Sequence, residues 1–208
     1  GFEDRYYTYK EFNAWANQLA YYFLDLGLKK GDVIAVNIEN RPELLVTVLA
    51  AAKIGVCSAL VNTSQRGRVL THSVNLVKPK LLVVGAELVD AVEEVRSELE
   101  VPAENFYAWA DQDTHKDPGT VAEGYVNIGK ELQRFGTDNP PQSGNNYLND
   151  PLFYIYTSGT TGLPKAVVFN HGRWEKAFNA FGFAAVRLNS NDRLYATLPF
   201  YHATGIVV

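Results

Sequence analysis

The first pattern along the chain is an amphipathic helix that begins with a capping box. Thr8 and Glu11 stand at the T-x-x-E spacing, at which the hydroxyl and the carboxylate each satisfy a free backbone N–H. Gly27 supplies the left-handed residue at which such a helix ends. Between them, apolar residues recur at steps of three and four and predict one apolar face. These residues are Phe12, Trp15, Ala16, Leu19, Tyr22, Phe23 and Leu26.

Short, β-branched apolar runs then alternate with helical segments. The runs that predict strands are Val33–Val36, Cys57–Val61, Leu81–Val84 and Phe106–Trp109. The helical segments are Pro42–Lys53, Val69–Val77 and a charged segment over Glu87–Leu99. Strands that alternate with helices at this spacing predict the α/β class, with a mostly parallel β-sheet flanked by helices on both faces. Sheets of this kind bind ligands at the carboxyl ends of their strands.

The rest of the chain predicts a boundary and a second group of elements. A loose stretch at 136–150, rich in Asn, Pro and Gly, is the best candidate for a linker. We therefore expect a first α/β subdomain over 1–135 and the start of a second over 151–208. The remaining predicted elements are a short helical piece at Val126–Leu132, strands at Leu152–Thr157, Ala166–Phe169 and Leu194–Leu198, and a long helix over Gly172–Ala185.

Composition and charge exclude some classes of protein. With 47% hydrophobic and 20% charged residues, the 208-residue chain can form a core and shows no sign of disorder. A net charge of -4 argues against a general nucleic-acid binder, so we expect no nucleic-acid partner. The lone Cys57 lies in an apolar run and is expected to be buried, and nothing indicates a disulfide framework or secretion.

The sequence gives limited information on membrane insertion and targeting. The longest apolar stretch, around Leu44–Ala52, is too short to span a bilayer. The chain contains no Met, so we expect the natural start to lie upstream. A signal peptide or membrane anchor in that upstream part is left open.

The segment that carries chemistry reads Y-T-S-G-T-T-G-L-P-K-A over residues 156–166. Gly159 and Gly162 let the backbone turn tightly and bring N–H groups close to an oxyanion. Lys165 adds a full positive charge. Hydroxyl donors in the same stretch come from Ser158, Thr160 and Thr161. A triphosphate needs many short donors together with a cation, and a hydroxyl there can also ligate Mg²⁺.

This segment differs from a Walker A loop. That pattern requires G-x-x-x-x-G-K-[ST], whereas Lys165 stands three residues after Gly162 and is followed by Ala166. A Walker loop also joins a strand to a helix, whereas this one joins two predicted strands. A plain hairpin with a glycine-rich tip is the structural alternative, although such hairpins rarely need this order of hydroxyl residues and a Lys.

Residues 156–166 resemble the phosphate-binding signature of the adenylate-forming superfamily, which includes acyl- and aryl-CoA synthetases, firefly luciferase and the adenylation domains of peptide synthetases. Leu198–Gly205, which reads L-P-F-Y-H-A-T-G, resembles the segment that borders the acyl pocket in these enzymes, and we call it the aromatic-His segment. Asn40–Glu43, N-R-P-E, is similar to the same enzymes. The resemblance covers nearly the whole chain and implies a partial N-terminal domain of the adenylate-forming fold.

Two further stretches are similar to one branch of this superfamily. V-N-T-S-Q-R-G-R at 61–68 and L-T-H-S at 70–73 resemble the long- and very-long-chain acyl-CoA synthetases, including the fatty acid transport protein group, and Tyr201 points the same way. The implied function is ATP-dependent activation of a long-chain fatty acid to acyl-AMP and then acyl-CoA. An adenylate-forming ligase for an aryl or amino acid is one alternative, and a catalytically silent nucleotide-binding module is another.

The resemblance also implies roles for single residues. Those that match the ATP phosphate-binding positions are Thr157, Ser158, Gly159, Thr160, Thr161, Gly162 and Lys165. Thr160 matches the position that ligates Mg²⁺. His202 matches the residue beside the substrate carboxylate and the adenylate, and it is the expected catalytic residue together with Lys165. Coenzyme A is the implied co-substrate.

The other histidines have weaker interpretations. Asn170 and His171 open the predicted helix after the loop, where helix capping is the expected role. His72 is expected to pack or hydrogen-bond within its own helix, and His115 has no evident task in its polar loop. The four histidines are too scattered to suggest a metal site.

Several parts of the superfamily pattern are absent from the 208 residues. These are the later Y-G-x-T-E motif, the ribose-binding Asp and the C-terminal domain with its catalytic Lys. We therefore expect that this chain alone does not turn over, and that it dimerises or swaps elements to cover unpaired sheet edges. For the whole protein the resemblance implies a location in the cytoplasm or at the cytoplasmic face of a membrane, and peripheral membrane contact is left open.

Overall fold

The computed structural model describes Phe2, residues 4–158 and residues 162–207. These residues form a mixed, mostly parallel seven-stranded sheet with helices on both faces, which confirms the predicted fold class. The strands are β1 (Val33–Asn37), β2 (Cys57–Leu60), β3 (Leu81–Gly85), β4 (Phe106–Trp109), β5 (Val126–Asn127), β6 (Pro151–Thr157) and β7 (Lys165–Asn170). Their order across the sheet is β5-β4-β3-β1-β2-β6-β7. Neighbouring strands run parallel except β6 and β7, which are antiparallel.

The α-helices alternate with these strands. They are α1 (Tyr9–Asp25), α2 (Pro42–Lys53), α3 (Gly67–Leu76), α4 (Val89–Glu93), α5 (Ile128–Glu131), α6 (His171–Phe178) and α7 (Ala203–Val207). Helix α1 begins with the predicted capping box, because the Thr8 hydroxyl accepts from the Glu11 amide and the Glu11 carboxylate accepts from the Thr8 amide. In the part of the chain that the structure describes, no helix is long and apolar enough to cross a bilayer.

Three predicted helical elements have a different form in the structure. The segment Glu87–Leu99 is broken into short 3-10 and α pieces, and within it the Arg96 side chain bonds the Gly124 carbonyl and lies over the rings of Phe106 and Tyr125. The helix predicted over Gly172–Ala185 is α6 followed by a π-helix at Asn179–Ala185. Residues Val126 and Asn127 pair with β4 as a strand before the helix begins.

The strand predicted at Leu194–Leu198 is wrong. Its residues are exposed, Leu194 by 66% and Tyr195 by 91%, and no strand of the described residues pairs with it. A strand needs a neighbour for its backbone hydrogen bonds, so an apolar run without one stays irregular.

The alternation of side chains along β1 shows how the sheet is covered. Ile34 and Val36 point to the face on which α1 and α2 pack, with Leu19 and Phe23 among the buried residues. Ala35, between them, points to the opposite face, where α3 and α4 pack. Successive residues of a strand face opposite sides, so burial on both faces explains why the strands read as continuous apolar runs.

A buried ionic network links the start of α2 to the carboxyl end of β4. The Arg41 side chain donates to the carbonyls of Trp109 (3.1 Å) and Ala110 (2.7 Å) and lies 3.2 Å from the Glu87 carboxylate. Glu43 is fully buried and lies 3.9 Å from the same guanidinium. Buried charges are tolerated only when paired, so these groups fix the loop after β1 against the loop after β4.

Residues 136–150, the predicted linker, lie against α1 and α2. Lys30 bonds the Asp150 carboxylate (2.6 Å) and the Asn145 carbonyl (2.8 Å), and Asn146 donates to the Ala52 carbonyl (2.6 Å). The strands that flank this stretch belong to one sheet, since β6 pairs with β2. The division into subdomains at 136–150 stays a prediction.

Arg41→Ala is expected to lower the free energy of unfolding by about 3–5 kcal/mol, because it removes one of the two guanidinium groups that the structure describes beside the buried Glu43, the other being Arg5 at 3.7 Å, and leaves the Trp109 and Ala110 carbonyls without their donor. Urea unfolding followed by tryptophan fluorescence measures this loss. The control is Arg134→Ala, which removes ion pairs of a half-exposed side chain and is expected to cost less than about 1 kcal/mol. Equal losses in the two variants would contradict a structural role for the buried network.

Candidate functional site

The glycine-rich loop, defined here as residues 158–164, connects β6 to β7. Thr157 and Lys165 are the last cross-strand pair before the loop, so the two residues face each other at its base. The strand–loop–strand arrangement predicted from the sequence is confirmed. Gly162 has φ +84°, which side chains with a Cβ rarely adopt. The predicted site residues Gly159, Thr160 and Thr161 lie outside the described residues.

Helix α3 holds both ends of the glycine-rich loop. Before the loop, the Tyr156 hydroxyl donates to the Ser73 carbonyl at 2.6 Å. After the loop, His72 Nε2 is 2.9 Å from the Pro164 carbonyl, which can only accept, so Nε2 carries the proton. Burial raises the pKa of the Tyr156 phenol, so this hydroxyl stays a donor at neutral pH. Two adjacent residues of one helix therefore set the separation between the two ends of the loop.

The prediction that His72 bonds within its own helix is wrong. Its ring reaches out of α3 to the loop because this face of the helix packs against β7. Sequence reasoning also missed Tyr156 as an anchor of the loop. The available signal was the position of each residue: Tyr156 directly precedes the T-S-G stretch, and His72 lies in the L-T-H-S stretch already singled out.

A groove of about 600 Å³ lies between the C-terminal end of α3 and the hairpin. It is bordered by nine residues, which are His72, Leu76, Val77, Lys78, Tyr154, Leu163, Pro164, Lys165 and Ala166. The charged members are lysines, with no carboxylate among the described residues that border the groove. Lys78 has φ +46°, an unusual conformation for a residue other than glycine. This mixture of two cations and apolar walls favours an anion that carries an apolar part.

The described polar residues of the loop base are available to a ligand. Thr157, Ser158 and Lys165 are all exposed. In the residues that the structure describes, Lys165 has no carboxylate partner. A lysine with no internal ion pair can offer its full charge to an anion, and two hydroxyls beside it add hydrogen-bond donors.

His202 lies in the turn that precedes α7, and its side chain is exposed. Its Nδ1 accepts from the Thr204 amide at 3.4 Å, a long hydrogen bond that leaves Nε2 as the nitrogen that carries the proton. Phe200 and Tyr201, just before it, pack against the main core. No hydrogen bond in the described part of the chain joins His202 to Lys165, so the two predicted catalytic residues stand on separate segments.

The other residues singled out in the sequence make contacts that stabilise the fold. Asn170 caps α6 as predicted, since its side-chain oxygen accepts from the Arg173 amide at 2.7 Å. His115 packs edge-on against the rings of Tyr7 and Trp15. Cys57 is buried as predicted, and burial raises the pKa of its thiol to about 12. Among the described residues no group of three or more His, Cys, Asp or Glu side chains could hold a metal ion.

Comparison with known protein families and sequences gives a consistent result. The family model described as "AMP-binding enzyme" matches residues 2–208. The medium/long-chain-fatty-acid–CoA ligase FadD6 of Mycobacterium tuberculosis is 35% identical, over 100% of this chain and 32% of that protein. The human long-chain fatty acid transport protein 1 is also 35% identical, over 97% of this chain and 30% of that protein. The chain thus spans about a third of the length of these curated relatives.

Solved structures share the fold. The anthranilate CoA ligase AuaEII, in complex with anthranoyl-AMP, superposes with a TM-score of 0.85 at 20% identity, covering 98% of this chain and 38% of that one. The N-terminal domain of FACL13 from Mycobacterium tuberculosis superposes with a TM-score of 0.78 at 25% identity, covering 96% of this chain and 46% of that one. The partial N-terminal fold expected from the sequence is confirmed.

His72→Leu is expected to loosen the glycine-rich loop, because it removes the hydrogen bond to the Pro164 carbonyl without creating a large cavity. Hydrogen–deuterium exchange should become faster in the peptide that covers residues 157–166. The matched control is His72→Gln, whose side-chain amide can donate from a similar distance and should keep most of the protection. Unchanged exchange in His72→Leu would show that the hydrogen bond does not hold the loop.

Proposed function

Because the chain belongs to the AMP-binding enzyme family, we propose that it supplies the ATP phosphate-binding part of an acid–thiol ligase, an acyl-CoA synthetase. The whole enzyme would activate a long-chain fatty acid to acyl-AMP and then to acyl-CoA. The chain spans about a third of its curated relatives, so we propose that it acts as part of a longer protein and does not turn over alone.

The observation that carries this proposal is the glycine-rich loop with both ends held by α3. A triphosphate must find several hydrogen-bond donors already in place, because ordering them on binding would weaken the complex. The hydrogen bonds from Tyr156 and His72 hold the frame, while Thr157, Ser158 and Lys165 stay exposed at its base. A frame of this kind suits the β- and γ-phosphates of ATP.

We assign the phosphate contacts to the residues that match the signature. In the described part these are Thr157, Ser158, Gly162 and Lys165, and outside it Gly159, Thr160 and Thr161. Thr160 is the proposed ligand of Mg²⁺, an ion that takes few protein oxygens and prefers phosphates and water. The exposed hydroxyls at the base of the loop fit this preference, and bound Mg²⁺ would supply positive charge at the phosphates.

The proposed chemistry has two steps. A carboxylate oxygen of the fatty acid attacks the α-phosphorus of ATP, and the bond to the pyrophosphate oxygen breaks. The thiol of coenzyme A then attacks the acyl carbon and releases AMP. Lys165 would stabilise the negative charge that develops on the departing pyrophosphate. His202 would donate a hydrogen bond from Nε2–H beside the substrate carboxylate.

The names of the relatives support fatty acids as the substrate class. FadD6 is named a medium/long-chain-fatty-acid–CoA ligase and the transport protein is named for long-chain fatty acids. The fold comparison does not discriminate, because AuaEII, an anthranilate ligase, has the same fold at 20% identity. The proposed partners are therefore ATP, a fatty acid and coenzyme A. We further propose a location in the cytoplasm or at the cytoplasmic face of a membrane, with peripheral membrane contact by the whole protein.

Carboxylate-dependent exchange of labelled pyrophosphate into ATP tests the proposed function in the full-length protein. Fatty acids are expected to support the fastest exchange in a panel that also contains aryl acids and amino acids. Faster exchange with an aryl or amino acid would favour a ligase for that class. Binding of ATP with Mg²⁺ but no exchange with any acid would favour a silent nucleotide-binding module.

Lys165→Ala is expected to lower kcat/KM for ATP by about 10–100-fold, because it removes one charge-assisted hydrogen bond to the phosphates. The KM for the fatty acid should stay nearly constant. Lys165→Arg keeps the charge and should retain most of the activity, and Lys176→Ala, which removes an exposed lysine of α6, is the control without effect. Full activity in Lys165→Ala would remove the role proposed for this lysine.

A further inference from the structure

The side chain of Asn40 binds the backbone of the aromatic-His segment at two points. Its amide nitrogen donates to the Leu198 carbonyl at 2.8 Å, and its amide oxygen accepts from the Phe200 amide at 2.8 Å. Pro199, between these residues, has no N–H to offer. One side-chain amide thus pairs with backbone groups of two residues that stand two apart in the chain.

Asn40 is itself rigidly placed. It lies between the carboxyl end of β1 and the start of α2, and both of its neighbours are anchored. The Glu39 amide donates to the Glu87 carboxylate at 2.9 Å. The buried Arg41 guanidinium bonds the carbonyls at the end of β4, as in the ionic network above. A short side chain on a backbone fixed from both sides can hold its partner in one position.

The position of His202 follows from the two backbone groups that Asn40 binds. The Pro199 carbonyl accepts from the His202 amide at 3.1 Å, which closes the turn that carries the imidazole. Gly205, in the first turn of α7, approaches the same carbonyl so closely that a Cβ there would come within 2.2 Å of its oxygen. Once residues 198–200 are fixed, little freedom is left to the turn that follows them.

We infer that Asn40 is a positioning residue, which sets where His202 stands at the acyl side of the proposed active site. The inference rests on the proposed function, because it assigns the kinetic effect to the carboxylate substrate. The hydrogen bonds of the Asn40 side chain go to the backbone of Leu198 and Phe200. Its loss therefore acts through the aromatic-His segment and leaves the glycine-rich loop, which α3 holds, unchanged.

Steady-state kinetics of Asn40→Ala in the full-length protein test the inference. We expect kcat/KM for the fatty acid to fall at least about tenfold, because two hydrogen bonds are lost and their backbone partners stay unpaired, with a higher KM for the acid and an unchanged KM for ATP. Asn40→Asp keeps the acceptor for the Phe200 amide and loses the donor to the Leu198 carbonyl. This variant guards against a folding defect and should also raise the KM for the acid.

Asn75 provides a matched control. Its side chain donates to the Glu98 carbonyl at 2.9 Å and accepts from the Glu100 amide at 2.8 Å, the same two-point pattern at a place remote from the aromatic-His segment. Asn75→Ala removes the same chemistry and should leave both KM values unchanged. A fall in kcat alone for Asn40→Ala, matched by Asn75→Ala, would reflect a smaller folded fraction and would overturn the inference.

Amide exchange provides a readout that does not depend on catalysis. The Phe200 amide is expected to exchange faster in Asn40→Ala and to keep its protection in Asn40→Asp. Unchanged protection in Asn40→Ala would overturn the positioning role. If the wild-type protein showed no pyrophosphate exchange with any acid, the proposed function would be overturned, and the kinetic role of Asn40 with it. An active enzyme with unchanged KM values in both Asn40 variants would overturn the inference alone.

Discussion

The two hydrogen bonds that join α3 to the two ends of the glycine-rich loop are the constraint on which the proposed site depends. A loop that binds phosphate has to leave its own donors unpaired until the ligand arrives, so it cannot be ordered by bonds within itself. The frame must come from outside the loop, and His72 and the Ser73 carbonyl provide it. Some residues thus hold the frame rigid, and other residues offer the hydrogen-bond donors, so the frame can be rigid while the donors stay free for a ligand.

The direction of the strands explains where the site lies. Because β1, β2 and β6 run parallel, their carboxyl ends share one edge of the sheet. The glycine-rich loop follows β6 at this edge, and Asn40 follows β1. The antiparallel β7 follows β6 after a short loop instead of a crossover helix. This site therefore differs from a strand-to-helix phosphate loop in that an antiparallel strand, and not a helix, follows the loop.

Much of this architecture could be predicted from local sequence, and the exceptions share a cause. The capping box at Thr8, the limits of α2 and the hairpin around the loop followed from residues close together in the chain. The broken helix at 87–99, the missing strand at 194–198 and the partner of His72 depend on groups distant in sequence. Arg96 lies over the aromatic rings of Phe106 and Tyr125, and no periodicity encodes such a contact. Site residues were predictable by type from the resemblance, whereas the residues that hold them in place were not.

The burial of Cys57 has a practical consequence for spectroscopy. Thiol reagents attack the thiolate, and a thiol whose pKa is about 12 is almost fully protonated at neutral pH. Since this is the single cysteine among the 208 residues, the folded chain has no native thiol that reacts readily with a labelling reagent. A cysteine introduced at an exposed position, such as Ser158, would take up a fluorophore or spin label selectively, without replacement of the native thiol.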